Sequence, residues 1–184
     1  MYEFEDNAIK TSDGRTVMHS WETPIMEKMA EWVCHSGGDI LEIGFGLGIS
    51  SDFIQSHNIN SHTICENHPD IIKDLEEWST DKPNVKIVRG DWYQNLDKFE
   101  TYDGILYDTF ADINIETFKK TSVYNLSKQV TNVCLWDDME EEFHKDFPDN
   151  LYRSEKIDVE IDYENSWNYV VGKNLYLHRI QITK

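Results

Sequence analysis

An α/β architecture is predicted for this chain: a mainly parallel sheet with helices on both faces and an antiparallel hairpin at the C-terminal end. Three observations predict it. Short apolar runs alternate with amphipathic helical stretches, and one of those runs leads straight into a glycine-rich turn. Two late stretches, 156–162 and 175–182, alternate apolar and polar residues around Gly172-Lys173-Asn174, as a hairpin would. A length of 184 residues suits one domain with a single core. Residues 17–184 read as that domain and 1–16 as a polar, loose lead-in or lid.

The elements follow in order. Thr23-Pro24 pairs an N-cap residue with a proline at the first helical position. Ile25, Met26, Met29, Trp32 and Val33 then fall on one helical face, and Gly37-Gly38 stops the helix. A strand over 39–43 runs into Gly44-Phe45-Gly46-Leu47-Gly48, and the next helix carries Phe53 and Ile54. Further strands are expected over 62–66, 85–89 and 104–108, with a helix opened by Pro69 carrying Ile71, Ile72, Leu75 and Trp78. A fifth strand is read over 130–136 and an acidic helix over 139–147.

The net charge of −18 argues against a nucleic-acid substrate and against anionic membrane surfaces, both of which need a basic face. A negative field steers cationic substrates; solubility or a salty habitat is the plain alternative. Cys34, Cys65 and Cys134 are odd in number and dispersed, which predicts buried thiols in a reducing, cytoplasmic compartment. The seven histidines lack ligand spacing, so no metal site is expected. No apolar run is long enough to span a bilayer. The acidic start Met1-Tyr2-Glu3-Phe4-Glu5-Asp6 does not read as a signal or transit peptide.

A strand-to-helix glycine loop allows close backbone approach to a ligand. Glu42, two residues before Gly44, disfavours a pyrophosphate and suits a ligand bearing an ammonium group; this points to S-adenosylmethionine. Glu66 closes the next strand, where an acid bonds ribose hydroxyls of either cofactor type. Asp91 and Trp92 follow the third strand, placed to meet an adenine amine and to cover its ring, although Trp92 reads equally well as core.

Several segments together resemble guanidinoacetate N-methyltransferase and its protein-arginine relatives. They are Val17-Met18, Trp21-Glu22-Thr23-Pro24 with Met26, Leu41-Glu42-Ile43-Gly44-Phe45-Gly46, Glu66-Asn67, Gly90 with Trp92, and Asp103-Gly104-Ile105-Leu106-Tyr107-Asp108-Thr109. The resemblance implies a Rossmann-like class I methyltransferase fold and an S-adenosylmethionine-dependent N-methyltransferase (EC 2.1.1) that releases S-adenosylhomocysteine. It places Met18, Met26, Gly44, Phe45, Gly46, Leu47, Gly48, Ile49 and Ser50 around the methionine end of the cofactor. Glu66, Asn67 and His68 would hold the ribose side, Asp91 and Trp92 the adenine side, and Glu22 and Asp108 would be the substrate carboxylates. The Pro-Gly-Gly turn expected before the fifth strand is absent, and residues 111–136 carry no motif by which the family can be recognised.

Two carboxylates suit a guanidinium because they bond its N–H groups in a fork, fixing its plane and orienting one nitrogen. One of them then takes the proton released as the N–C bond forms. Trp21 and Tyr107 are candidate aromatic walls for a cation, with core packing as the alternative, and Thr109 adjoins the substrate side. The expected acceptor is a guanidino or cationic amino nitrogen of a small molecule or peptide. Three other readings stay open: a Mg²⁺-dependent methyltransferase using Asp108 with Asp137 and Asp138, an aminopropyltransferase, and a non-catalytic cofactor-binding subunit.

Overall fold

A computed structural model describes residues 2–110, 114–137, 152–160 and 174–184. The first three strands, β1 (Tyr2–Glu5), β2 (Ala8–Thr11) and β3 (Thr16–His19), form an antiparallel sheet in the order β1-β2-β3. The expectation of a loose lead-in is therefore corrected. Ala8 and Ile9 of β2 are both buried, and Ile9 packs against Phe45, Ile64 and Ile71 of the main body. One inserted isoleucine and the ladder hydrogen bonds offset the ordering of an otherwise polar segment.

A 3-10 turn (Ser20–Glu22) leads into α1 (Thr23–Val33). Then come β4 (Asp39–Ile43), α2 (Ile49–Ser56), β5 (Ser61–Glu66), α3 (Pro69–Trp78), β6 (Val85–Arg89) and β7 (Tyr102–Tyr107). A helical stretch of α4 (Ile115–Thr117), a π turn (Phe118–Ser122) and α5 (Val123–Leu126) follows, which the sequence reading did not identify. The last strands are β8 (Ser127–Asp137), β9 (Tyr152–Ile157) and β10 (Leu175–Thr183).

The main sheet has seven strands in the order β6-β5-β4-β7-β8-β10-β9. β4, β5, β6, β7 and β8 run parallel, while β10 is antiparallel to both β8 and β9. The two late strands pair antiparallel, with Leu175 opposite Ile157, and β10 also inserts itself beside β8. The expected acidic helix over 139–147 and the Gly172-Lys173 turn lie outside the described residues.

Strand parity divides the core. Ile40, Leu106 and Cys134 face α1, packing with Ile25, Met26, Met29 and Val33. Leu41, Ile43, Ile105, Tyr107 and Val133 face the other way, against Phe118, Val123 and Leu126. Chain order reverses between β4 and β7: β5 and β6 lie to one side of β4, and β7 and β8 to the other. Ligands of open α/β sheets bind at the carboxyl ends of the strands beside such a reversal.

Candidate functional site

The ends of four strands, β4, β5, β6 and β7, are stitched together by three backbone hydrogen bonds. Gly44 N–H donates to Cys65 O at 2.9 Å, Asp108 N–H to Ile43 O at 3.0 Å, and Gly90 N–H to Glu66 O at 2.8 Å. Above them lies a cavity of about 520 Å³, a size suited to a nucleoside-sized cofactor and a small acceptor group.

The glycine loop forms its floor. Gly44 has φ +95° and Gly46 φ +54°. A Cβ at Gly44 would strike the Asp108 carbonyl oxygen, and one at Gly46 would strike the Met18 sulfur. Glycine is thus needed at both positions for close approach as well as for backbone conformation. The Met18 sulfur also lies 3.2 Å from Leu47 N.

Glu66 accepts three backbone N–H groups: Phe45 at 3.0 Å, and Asn67 and His68 at 2.8 Å each. Its carboxylate thereby joins the end of β5 to the loop after β4 while lining the cavity. Asp91 is held by Asn67 Nδ2 at 2.8 Å and by the Tyr93 hydroxyl at 3.3 Å. Trp92 lines the cavity from the core, edge-on to Tyr107 and Phe118. A glycine floor, a carboxylate at the end of the second parallel strand and a second carboxylate after the third form a donor and acceptor set that fits an adenosyl amino acid.

Glu22 and Asp108 also line the cavity. His19 and Glu22 form a capping box in which Glu22 Oε1 accepts the His19 backbone N–H at 2.7 Å. That bond holds Glu22 at only 2% exposure, buried despite its charge. Asp108 follows the last residue of β7, and its Oδ1 lies 3.2 Å from the Trp136 indole nitrogen. Burial pushes the Asp108 carboxyl up to about 6, the Trp136 hydrogen bond opposes this, and the charge of Glu42 adds to it.

Of the residues singled out from the sequence, Met18, Glu22, Gly44, Phe45, Gly46, Glu66, Asn67, Asp91, Trp92, Asp108 and Thr109 meet at this cavity. Others do not. Met26 is fully buried under the sheet. Glu42 shares the Ile40 face of β4 by strand parity, so it points beneath α2. There it accepts the Ser50 and Ser51 hydroxyls, with His62 Nε2 at 2.9 Å. Glu42 is fully buried in that cluster and is not among the residues lining the cavity. Leu47, Gly48, Ile49 and Ser50 turn away into the start of α2. His68 caps α3 and stacks on Tyr2 at 3.7 Å. Tyr107 stacks on Phe118 at 4.2 Å within the core. Trp21 lies behind the wall, edge-on to Trp136 at 6.3 Å.

The structure adds lining residues that the sequence reading missed: Tyr2, Arg15, Val17, Phe110 and Trp136. Arg15 lies two residues before the Val17-Met18 pair, of which Val17 is a member, and Trp136 is the penultimate residue of the fifth parallel strand; position was the only available signal. Cys65 lines the cavity too, but burial pushes its thiol up to about 12, so it is no nucleophile. Among the described residues, no cluster of three His, Cys, Asp or Glu side chains is arranged to hold a metal ion. Asp137 faces His178 Nε2 at 2.9 Å instead, and Asp138 lies outside the described residues. No described helix is long and apolar enough to cross a membrane.

Solved structures share this fold. Spermidine synthase from Thermotoga maritima aligns with TM-score 0.68 at 14% identity, covering 98% of this chain and 72% of its own. The N-methyltransferase NodS from Bradyrhizobium japonicum, in complex with S-adenosyl-L-homocysteine, aligns with TM-score 0.64 at 11% identity, covering 89% and 88%. Identities this low speak for the fold alone. The fold is that of the class I, Rossmann-like methyltransferases. The guanidinoacetate N-methyltransferase family matches residues 1–138, and the chain belongs to that family. Protein arginine N-methyltransferase 2 of Kluyveromyces lactis is 40% identical over 122 residues, 60% of this chain and 30% of its own length. The protein of the same name from Saccharomyces cerevisiae is 40% identical over 123 residues, with the same shares. The chain thus spans about 30% of the length of these curated relatives.

Proposed function

We propose that the chain methylates a guanidino nitrogen of a small molecule or peptide, with Glu22 and Asp108 as the acceptor clamp. The observation that carries this reading is that these two carboxylates, one from the turn before α1 and one just past the end of β7, line the same cavity as the glycine loop. The names of the family and of its arginine-methylating relatives support the same acceptor chemistry.

S-adenosylmethionine, when bound, supplies an electrophilic methyl group. Gly44, Phe45, Gly46 and Met18 would hold its methionine end, Glu66 and Asn67 its ribose, and Asp91 and Trp92 its adenine. Glu22 and Asp108 bond the N–H groups of the guanidinium and turn one nitrogen toward the methyl carbon, so positioning supplies much of the acceleration. Asp108 accepts the proton lost from that nitrogen as the N–C bond forms. A carboxyl at about 6 is ionised at neutral pH yet more basic than an ordinary aspartate, as a proton acceptor requires. The N-terminal sheet brings Tyr2, Arg15 and Val17 to the cavity and serves as its lid.

The test is incubation with methyl-labelled S-adenosylmethionine and a panel of free guanidino acids, agmatine, arginine peptides and simple amines. Label is expected on a guanidino nitrogen, with Glu22→Gln and Asp108→Asn inactive but still binding cofactor. Wild-type turnover in both variants would refute the clamp, and label confined to simple amines would refute the acceptor class.

A further inference from the structure

β7 and β8 run parallel, with Gly104 opposite Asn132, Ile105 opposite Val133 and Leu106 opposite Cys134. Two residues further along, the same register sets Asp108 opposite Trp136. Strand parity then turns both side chains toward the face that carries Leu106, Cys134 and α1. The Trp136 indole N–H donates to Asp108 Oδ1 at 3.2 Å. Its ring also meets Trp21 edge-on, with centroids 6.3 Å apart and planes at 86°. Trp21 directly precedes Glu22 in the capped turn. One side chain therefore touches the segments carrying both clamp carboxylates, and it lines the cavity between them.

We propose that Trp136 is the positioning residue of the clamp: its indole N–H holds Asp108 by Oδ1 so that Oδ2 faces the acceptor, and its ring sets the stand-off of the Glu22 turn. The inference rests on the reading of Asp108 as proton acceptor. The physical need for such a residue is clear. An aspartate at a strand end has two rotatable bonds, and a clamp with a wandering arm does not fix a planar cation. A nitrogen donor on one oxygen removes that freedom and also favours the ionised carboxylate.

The charge that acts on Asp108 is Glu42 from β4, and Glu22 from the turn before α1, Arg15 before β3, Glu66 at the end of β5 and Asp91 after β6 line the same cavity. From β8 the neighbour is Trp136, because the next carboxylate, Asp137, is turned to His178. Burial and, less strongly, the charge of Glu42 raise the Asp108 pKa, and the indole N–H lowers it. Removing the indole N–H leaves only influences in the raising direction, so the acid limb of the rate profile must move up.

The experiment compares Trp136→Phe with the unsubstituted protein in single-turnover methyl transfer at saturating cofactor, from pH 5.5 to 8.5. The variant is expected to lose roughly fivefold at pH 6 for a one-unit rise in the Asp108 pKa, to recover most of that loss by pH 8, and to bind cofactor as before. A profile identical to the unsubstituted protein overturns the proposal, as does a loss of equal size at every pH. A second measurement needs no altered Trp136. In the unsubstituted protein, the ¹⁵N indole resonance of Trp136 is expected to titrate near pH 6, and to stop doing so in Asp108→Asn. An indole resonance that is flat across this range overturns the proposal even if Trp136→Phe does not fold. The outcomes also separate the two readings. Full activity of Asp108→Asn sinks the proton-acceptor role itself, whereas an inactive Asp108→Asn beside an unshifted Trp136→Phe sinks only the positioning role.

Discussion

The carboxylate of Glu66 accepts the backbone N–H of Phe45 at 3.0 Å, tying the end of β5 to the glycine loop that follows β4. Two further N–H groups, of Asn67 and His68, bond its other oxygen at 2.8 Å. This one side chain shapes the cavity floor on both sides of the strand gap. Glu66→Ala removes three charge-assisted bonds together with the proposed ribose contact. Each such bond contributes about 1.5–3 kcal/mol. Cofactor affinity by calorimetry is expected to fall at least tenfold, and the melting temperature to drop.

Asp108 carries a stability cost that reports its pKa. The fold raises the carboxyl to about 6 by burial, against about 3.9 in an unfolded chain. The folded state therefore binds the proton more tightly, and the associated stability is fully present below about pH 4. It is lost as pH rises through about 6. Asp108→Asn cannot ionise, so it is expected to melt several degrees above the wild-type chain at pH 8, with the gain vanishing near pH 4. Thermal denaturation of the cofactor-free protein at both pH values checks this, and an equal gain at the two would contradict it.

Glu42 is fully buried, with the Ser50 and Ser51 hydroxyls and His62 Nε2 around its carboxylate. Removing one partner of a buried polar cluster costs about 3–5 kcal/mol, because the remaining donors stay dry and unmatched. Glu42→Ala is expected to destabilise the chain by that order in denaturant titration. Glu42→Gln, which keeps an acceptor oxygen, is expected to lose less. A neutral Glu42→Ala would show that the cluster does not anchor the start of α2.

Tyr2 stacks flat on His68, with ring centroids 3.7 Å apart and planes 4° apart, and it lines the cavity. If the N-terminal sheet works as a lid, this stack is its latch. Tyr2→Ala is expected to speed cofactor dissociation about threefold to tenfold in stopped-flow measurements, with little change in melting temperature. An unchanged dissociation rate would leave the sheet a purely structural role.

What could be read from sequence was what chain neighbours encode. The glycine loop, the acid closing β5, the Trp-Glu-Thr-Pro turn and the Asp at the end of β7 are each defined within a few residues of local pattern. Strand positions were also readable, because apolar runs with flanking turns are local. Three matters were decided only by packing in three dimensions. The polar N-terminal stretch became a sheet because Ile9 found a pocket among Phe45, Ile64 and Ile71. Glu42 came to rest on the Ser50 and Ser51 hydroxyls, a pairing hidden from the sequence because β4, covered on both faces, has no polar-apolar alternation to show which way its side chains point. Trp136 joined Asp108 because β8 lies beside β7 in a parallel register, which no local pattern specifies. The motifs belong to the sequence, whereas the partnership of Trp136 with the clamp exists only where two distant strands lie side by side.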